Sequence, residues 1–262
     1  MLVPENATLE QIESARTRLG LDKPLPVQYG IFIRDVLHGN FGKSYIYGKP
    51  AMDLIFERMP ATLELVAVAA CLVLCIAIPL GVYAGAYPKR ASSKLIMSGS
   101  ILGISLPSFW VGMMMIYIFA VVLRLLPASG RGNTVMVGNV ALSIFAPGGI
   151  RYVILPAITL DLTNCGYHAS TDRSGILENM RQDYIKFARA KGVPAKSILF
   201  GHALKNALIP VVTIFGMDLG NMIAFTTITE TIFAWPGMGK LLIDAINKSD
   251  RPIIVAYLMA AA

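Results

Sequence analysis

The chain has 262 residues, of which 55% are hydrophobic and only 15% charged, with a net charge of +7. An ordinary soluble domain carries roughly 25% charged residues, so the composition excludes one and points to a polytopic membrane protein. No basic stripe interleaved with aromatics accompanies the positive charge, which excludes nucleic acid as a partner and leaves basic loops that orient a membrane protein.

Residues 1 to 60 are mixed polar, with seven Lys/Arg balanced by seven Asp/Glu, and are broken by Pro4, Pro24, Pro26 and Pro50. Thr8 is placed to cap an amphipathic helix running to about Leu19 and stopped by Gly20. LGLDKPLPVQYGIFIRDVLHGNFGKS then reads as turn, helix and Gly-rich turn, and the whole segment as a small lid against the membrane. Gly39 to Ser44, GNFGKS, imitates a phosphate-binding loop. That loop needs a glycine at position 37, which is Leu, and an apolar strand leading into it, which is absent. No ATPase motif is read in this chain.

The apolar stretches follow. Leu65 to Pro88 and Leu95 to Leu123 contain no charged residue, and each exceeds the roughly 20 residues that cross the hydrocarbon as a helix. Leu63–Tyr87 is the first predicted span, kinked at Pro79 and Gly81. Cys71 and Cys75 lie one turn apart within it and read as small packing residues, because their spacing fits neither a disulfide framework nor a zinc site. Leu95–Leu126 is the second span, with a bend in GISLPSFWVG at Pro107. A loop carrying Arg124, Arg131 and Arg151 leads to the third, Tyr152 to about Ser170, which holds Asp161, Asn164 and His168. The fourth, Ala207 to about Thr229, holds Asp218 and Asn221. Pro252–Ala262 is apolar but too short to cross. Intramembrane polar residues mark pathways, so Asp161, Asn164, Asp218 and Asn221 are the candidate pathway set.

Between the third and fourth spans lies Glu178–Pro210, the one polar stretch with both helix grammar and concentrated positive charge. Asp183 is predicted to cap a helix of about two turns that begins at Tyr184. Gly192 suits the left-handed position that ends it, and Pro194 prevents its continuation. Tyr184, Phe187, Ala188 and Lys191 fall on one side at helical spacing. A second helix is predicted from near Pro194 through His202 toward Pro210.

Within this stretch, FARAKGVPAKSILFGHALKNALIPV resembles the cytoplasmic coupling loop of ATP-binding-cassette importer permeases, in the variant of the peptide/nickel branch. The branch pattern of tyrosine, then A-R-A-K-G, then H-A-L-x-N-A is matched closely. The general pattern is half kept: Ala188 and Gly192 match, Lys186 and Phe187 replace its Glu and first Ala, and the proline of its ending is absent. RMPATLEL, GISLPSFWVG and TETIFAWPGMGKLLIDAI also resemble branch strings. The resemblance implies an all-α, six-helix type I importer permease, of which about four complete spans and the start of one more are present, so truncation at both ends is expected. It implies two parts, an extracytoplasmic segment 1–60 and a transmembrane permease domain 61–262 containing a coupling loop, 176–206. Tyr184, Phe187, Ala188, Arg189, Ala190, Lys191 and Gly192 are the implied ATPase-coupling residues. The implied partners are a second homologous permease, two cytoplasmic ATP-binding subunits, an extracytoplasmic solute-binding protein and the lipid membrane of a bacterium or archaeon. No cofactor or metal is expected.

Charge density orients the chain. The 88–94 loop has three Lys/Arg in seven positions, and residues 172–205 have seven against three acids, so both face the cytoplasm. Two other functions stay open at this point: a self-sufficient secondary transporter using Asp161 or Asp218 as an ion site, and a membrane enzyme. The first leaves the coupling loop without a purpose. The second lacks a nucleophile–base pair or metal-ligand spacing.

Overall fold

The computed structural model describes residues 22–138 and 140–261. The helix expected between Thr8 and Leu19, with its Gly20 stop, lies outside the described residues. In chain order the helices are α1 Leu25–Leu37, α2 Ala51–Ala86, α3 Ala91–Ser105, α4 Ser108–Val122, α5 Ile150–Asn179, α6 Asp183–Ala190, α7 Ala195–Ile232, α8 Met238–Asn247 and α9 Arg251–Ala261. The fold is all-α apart from a hairpin of β1 (Val135–Val137) and β2 (Val140–Leu142), antiparallel with Val135 opposite Leu142.

Helices α2 and α7, with 36 and 38 residues, are long and apolar enough to cross a membrane. α5 has 30 residues, a rise of roughly 45 Å, but it carries Asp161, Asp172, Arg173 and Glu178. The span predicted at Leu95–Leu126 is not a bent helix but a broken one, with α3 and α4 meeting at 107°. Pro107 is the cause. Its ring drives the preceding residue out of the helical region, and Leu106 accordingly sits at φ −86, ψ 132. The second correction concerns Pro210. The helix expected from near Pro194 toward Pro210 and the fourth span expected from Ala207 are one helix, because Pro210 lies inside α7, which runs from Ala195 to Ile232. Membrane helices tolerate such a proline when packing holds both flanks. At Pro79 the ladder is interrupted by widening: Val73–Ala77 forms a π turn, and the Ile78 amide reaches Val73. A π turn absorbs the hydrogen bond that proline cannot donate.

Two compact units result. The smaller comprises the described residues to Met59 together with Leu241–Ala262; the larger is Pro60–Lys240. The expected division at residue 60 put Leu241–Ala262 with the spans, whereas in the structure those residues join the amino-terminal segment. Asp250 explains it. Fully buried, it accepts from the Ser44 hydroxyl and from the amides of Tyr45 (3.3 Å) and Ile46 (3.4 Å). The same bond commits the Ser44 hydroxyl of the phosphate-loop lookalike to the protein itself.

In the larger unit α5 is the central element. Val153, Ala157 and Leu160 meet Ala61, Leu65, Ala69, Val73 and Ala77 of α2, with Met222 of α7 and Trp235 closing the core. Small residues set the closest approach. At Gly81 and Gly85 of α2 a side chain would strike the Ala169 and Arg173 carbonyls of α5.

Candidate coupling and pathway site

The α6 helix is built by local grammar. Gln182, extended at φ −66, ψ 152, stands at the N-cap without a side-chain bond. Asp183 is the first helical residue rather than the cap. Its carboxylate is drawn aside by Lys186, 2.8 Å away, which holds the exposed carboxyl below the usual range. The other end follows the prediction. Gly192 has φ +78, its amide donates to Arg189 O at 3.0 Å, and the Val193 amide donates to Ala188 O at 3.2 Å. These two bonds are the Schellman pattern, which satisfies carbonyls left over by the last turn.

One side chain docks α6. Ile185 is fully buried against Ile198 and Ala203, with Ala188 and Val193 alongside. Ala188 is therefore half-buried, whereas Phe187 and Lys191, expected on the same side, are exposed. Phe187, Arg189, Ala190 and Lys191 stay exposed, and Lys191 Nζ stands 4.5 Å over the Phe187 ring. Tyr184 has a more specific place. Its hydroxyl donates to Asn179 Oδ1 at 2.9 Å and accepts from Asn206 Nδ2 at 3.0 Å. Asn179 ends α5 and Asn206 lies in the first third of α7, so one phenol ties the short helix to both long ones.

Higher on those two helices the candidate pathway residues separate. Asn164 of α5 and Asn221 of α7 line one cavity of about 350 Å³, with Ser108, Thr163, Phe225 and Thr229. Asp161 faces a different, largely apolar space beside α2 and α3, where Cys165 Sγ donates to its Oδ2 at 2.7 Å. Asp218 meets His168: Nε2 is 2.8 Å from Oδ2, at ion-pair distance but without hydrogen-bond alignment. The acids of the candidate pathway set thus meet Cys165 and His168, and the two asparagines share a cavity of their own.

A second polar centre occupies the opposite end of α7. Glu230, fully buried, accepts from the Thr62 hydroxyl at 2.6 Å and the Lys240 amide at 2.9 Å. Thr62 Oγ1 in turn accepts from the Met238 amide at 2.8 Å, and Trp235 Nε1 donates to Ala61 O at 2.8 Å. A side chain at Gly237 would collide with the Glu230 carboxylate. Two residues on, Glu64 Oε1 accepts from the amides of Ser143 (2.6 Å) and Ile144 (2.7 Å) and from the Ser143 hydroxyl (2.9 Å). Its Oε2 accepts from Arg131, whose guanidinium also reaches Ala141 O at 2.6 Å.

Residues 77–262, most of this framework, match the family described as the binding-protein-dependent transport system inner membrane component. The chain belongs to that family. Among the curated relatives of this inner membrane component is the probable D,D-dipeptide transport system permease protein DdpB of Escherichia coli K12. It is 37% identical over 98% of the chain and 79% of the relative. The dipeptide transport system permease protein DppB of Alkalihalophilus pseudofirmus is 35% identical over 100% and 82%. The oligopeptide transport system permease protein AppB of Bacillus subtilis is 37% identical over 94% and 76%.

For this inner membrane component, sequence reasoning placed Tyr184 in the coupling set but did not foresee its bond to Asn206, although both stand in the quoted branch pattern. It named His168 without pairing it. Glu64, Glu230 and Trp235 were visible only as letters in RMPATLEL and TETIFAWPGMGK; the buried acid in each string was the available signal.

Proposed function

We propose that this inner membrane component is the permease subunit of an ATP-driven importer of peptides or related small solutes. The observation that carries the reading is a short helix tethered between two long ones that also share the candidate pathway. α6 reaches α5 and α7 through Tyr184, and α5 and α7 supply Asn164 and Asn221 to a common cavity. Moving α6 would therefore move both walls of that cavity. A ligand-driven change must come from contacts that differ between two states, and exposed Phe187, Arg189, Ala190 and Lys191, beside the Gly192 turn, are the surface offered to an ATP-binding subunit.

In this reading two cytoplasmic ATP-binding subunits hydrolyse ATP, and a second homologous permease completes the pathway. A solute-binding protein delivers cargo from outside a bacterial or archaeal plasma membrane, with residues 1–60 on that side. The relatives' names support peptide cargo. At least one of Asp161 and Asp218 would bias cargo toward positive groups. Asp161 stands off the Asn164–Asn221 cavity, whereas Asp218 lies one turn before Asn221 on α7. Asp218→Asn should therefore lower uptake of a cationic peptide more than that of a neutral one of equal length, and Asp161→Asn should do so less.

The His168–Asp218 pair, its histidine buried and its acid half-buried, favours the one competing reading, a proton-driven secondary transporter. Proteoliposome uptake of a labelled dipeptide separates the two. Uptake that needs ATP and the ATP-binding subunits supports the importer. Uptake by this chain alone under a proton gradient sinks it.

A further inference from the structure

Arg124 and Arg151 converge on one cavity of about 510 Å³, which no acidic residue lines. They arrive from different elements. Arg124 follows the π-helical end of α4, and the turn is well built: the Leu125 and Leu126 amides both reach Phe119 O, at 2.9 and 3.3 Å. Arg124 itself sits at φ +54, a left-handed conformation costing a non-glycine residue about 1 kcal/mol or more. Arg151 is the second residue of α5. Among the described residues neither guanidinium has an ion-pair partner, whereas Arg131, in the same loop, is committed to Glu64.

The surroundings narrow the ligand. Asn133 and Tyr152 complete the polar wall, and Leu125, Leu126 and Pro127 make the other. Leu125 of that wall is exposed, as are Leu123 and Ile150, the residues that immediately precede the two arginines, at the ends of two helices of a membrane protein. A free anion needs the charges but gains nothing from that apolar rim. A lipid uses both, its phosphate on the arginines and its chains along the exposed side chains. The first-turn amides of α5 add to the positive potential. We propose that this cavity is a headgroup site for an anionic phospholipid, with Arg124 and Arg151 as its phosphate-binding residues. This site stands apart from the peptide reading and survives its failure.

The test uses the full chain in a neutral detergent, titrated with dioleoylphosphatidylglycerol, dioleoylphosphatidylcholine or inorganic phosphate at constant ionic strength. Native mass spectrometry counts retained lipid, and the thermal midpoint is followed in parallel. Phosphatidylglycerol should be retained and raise the midpoint, with phosphatidylcholine and phosphate doing neither. Arg124→Gln and Arg151→Gln should each weaken retention roughly fivefold, and the double variant should lose the preference between the lipids. Lys89→Gln with Arg90→Gln, in another loop, should keep it. Both arginines are exposed, and the mass measurement reads binding whether or not a variant's midpoint changes. A double variant that still prefers phosphatidylglycerol overturns the proposal. So does inorganic phosphate that displaces the lipid and stabilises the chain alone, which makes the cavity a free-anion site.

Discussion

The two ends of α7 are held in opposite ways. At its carboxy-terminal end buried Glu230 and Thr62 bond to each other and to backbone amides, Trp235 donates to the Ala61 carbonyl, and Glu64, two residues from Thr62, holds Arg131. At its amino-terminal end α6 is held by one buried isoleucine and by hydrogen bonds at the surface. Burying the isoleucine contributes roughly 1.5–3 kcal/mol, more than exposed hydrogen bonds add. One end is thus a fixed anchor and the other a tether, as the proposed coupling role requires: rigidity where helices pivot, modest adhesion where an ATP-binding subunit would pull.

Breaking the anchor should have the largest effect. Glu64→Ala strands a largely buried guanidinium and two amides, and should cost about 3–5 kcal/mol; the thermal midpoint in detergent measures it. Trp235→Phe keeps most of the packing and removes only the buried bond to the Ala61 carbonyl, which keeps its partner within α2, at a cost of about 1–1.5 kcal/mol. If either variant unfolds like the wild type, the contrast between the two ends collapses.

At the tether the effects should be smaller on stability and larger on coupling. Gly192→Val meets no neighbour within 4 Å, so its penalty is the left-handed backbone alone, about 1–2 kcal/mol. Membrane insertion should be unchanged while recovery of the ATP-binding subunits falls, and Gly192→Asn, which tolerates that conformation, should restore much of it. Tyr184→Phe should be mildest, about 1 kcal/mol or less. It should leave recovery intact and lower solute moved per ATP hydrolysed. Normal transport by both variants would remove α6 from the mechanism.

The same contrast marks what could be read from the amino acids. α6 was legible because its signals are local: Gly192 and Pro194 state where a helix stops, and Tyr184, Phe187 and Lys191 share a face. The Asp183 cap failed because Lys186, three residues on, competes for the carboxylate. The anchor was not legible, since Thr62 and Glu230 are 168 positions apart and nothing in either neighbourhood names the other. Likewise the α3–α4 break was signalled by Pro107, but its 107° angle is decided by what packs on each half. Asp161 and Asp218 were found as anomalies in apolar runs, whereas the partner of Asp218 depended on which residues of α5 turn toward α7 and that of Asp161 lay one turn along its own helix.

The continuity of α7 through Pro210 has a mechanical consequence. A helix of 38 residues measures roughly 57 Å along its axis. Fixed near Glu230, it is a long oar whose grip is the proposed coupling loop. Swinging it by about 5° would carry the grip about 5 Å, close to the 5.4 Å pitch of one helical turn. Asn221, a short way from the pivot, would shift by little more than 1 Å over the same stroke. A coarse pull on α6 is thereby geared down to a fine adjustment of the cavity wall.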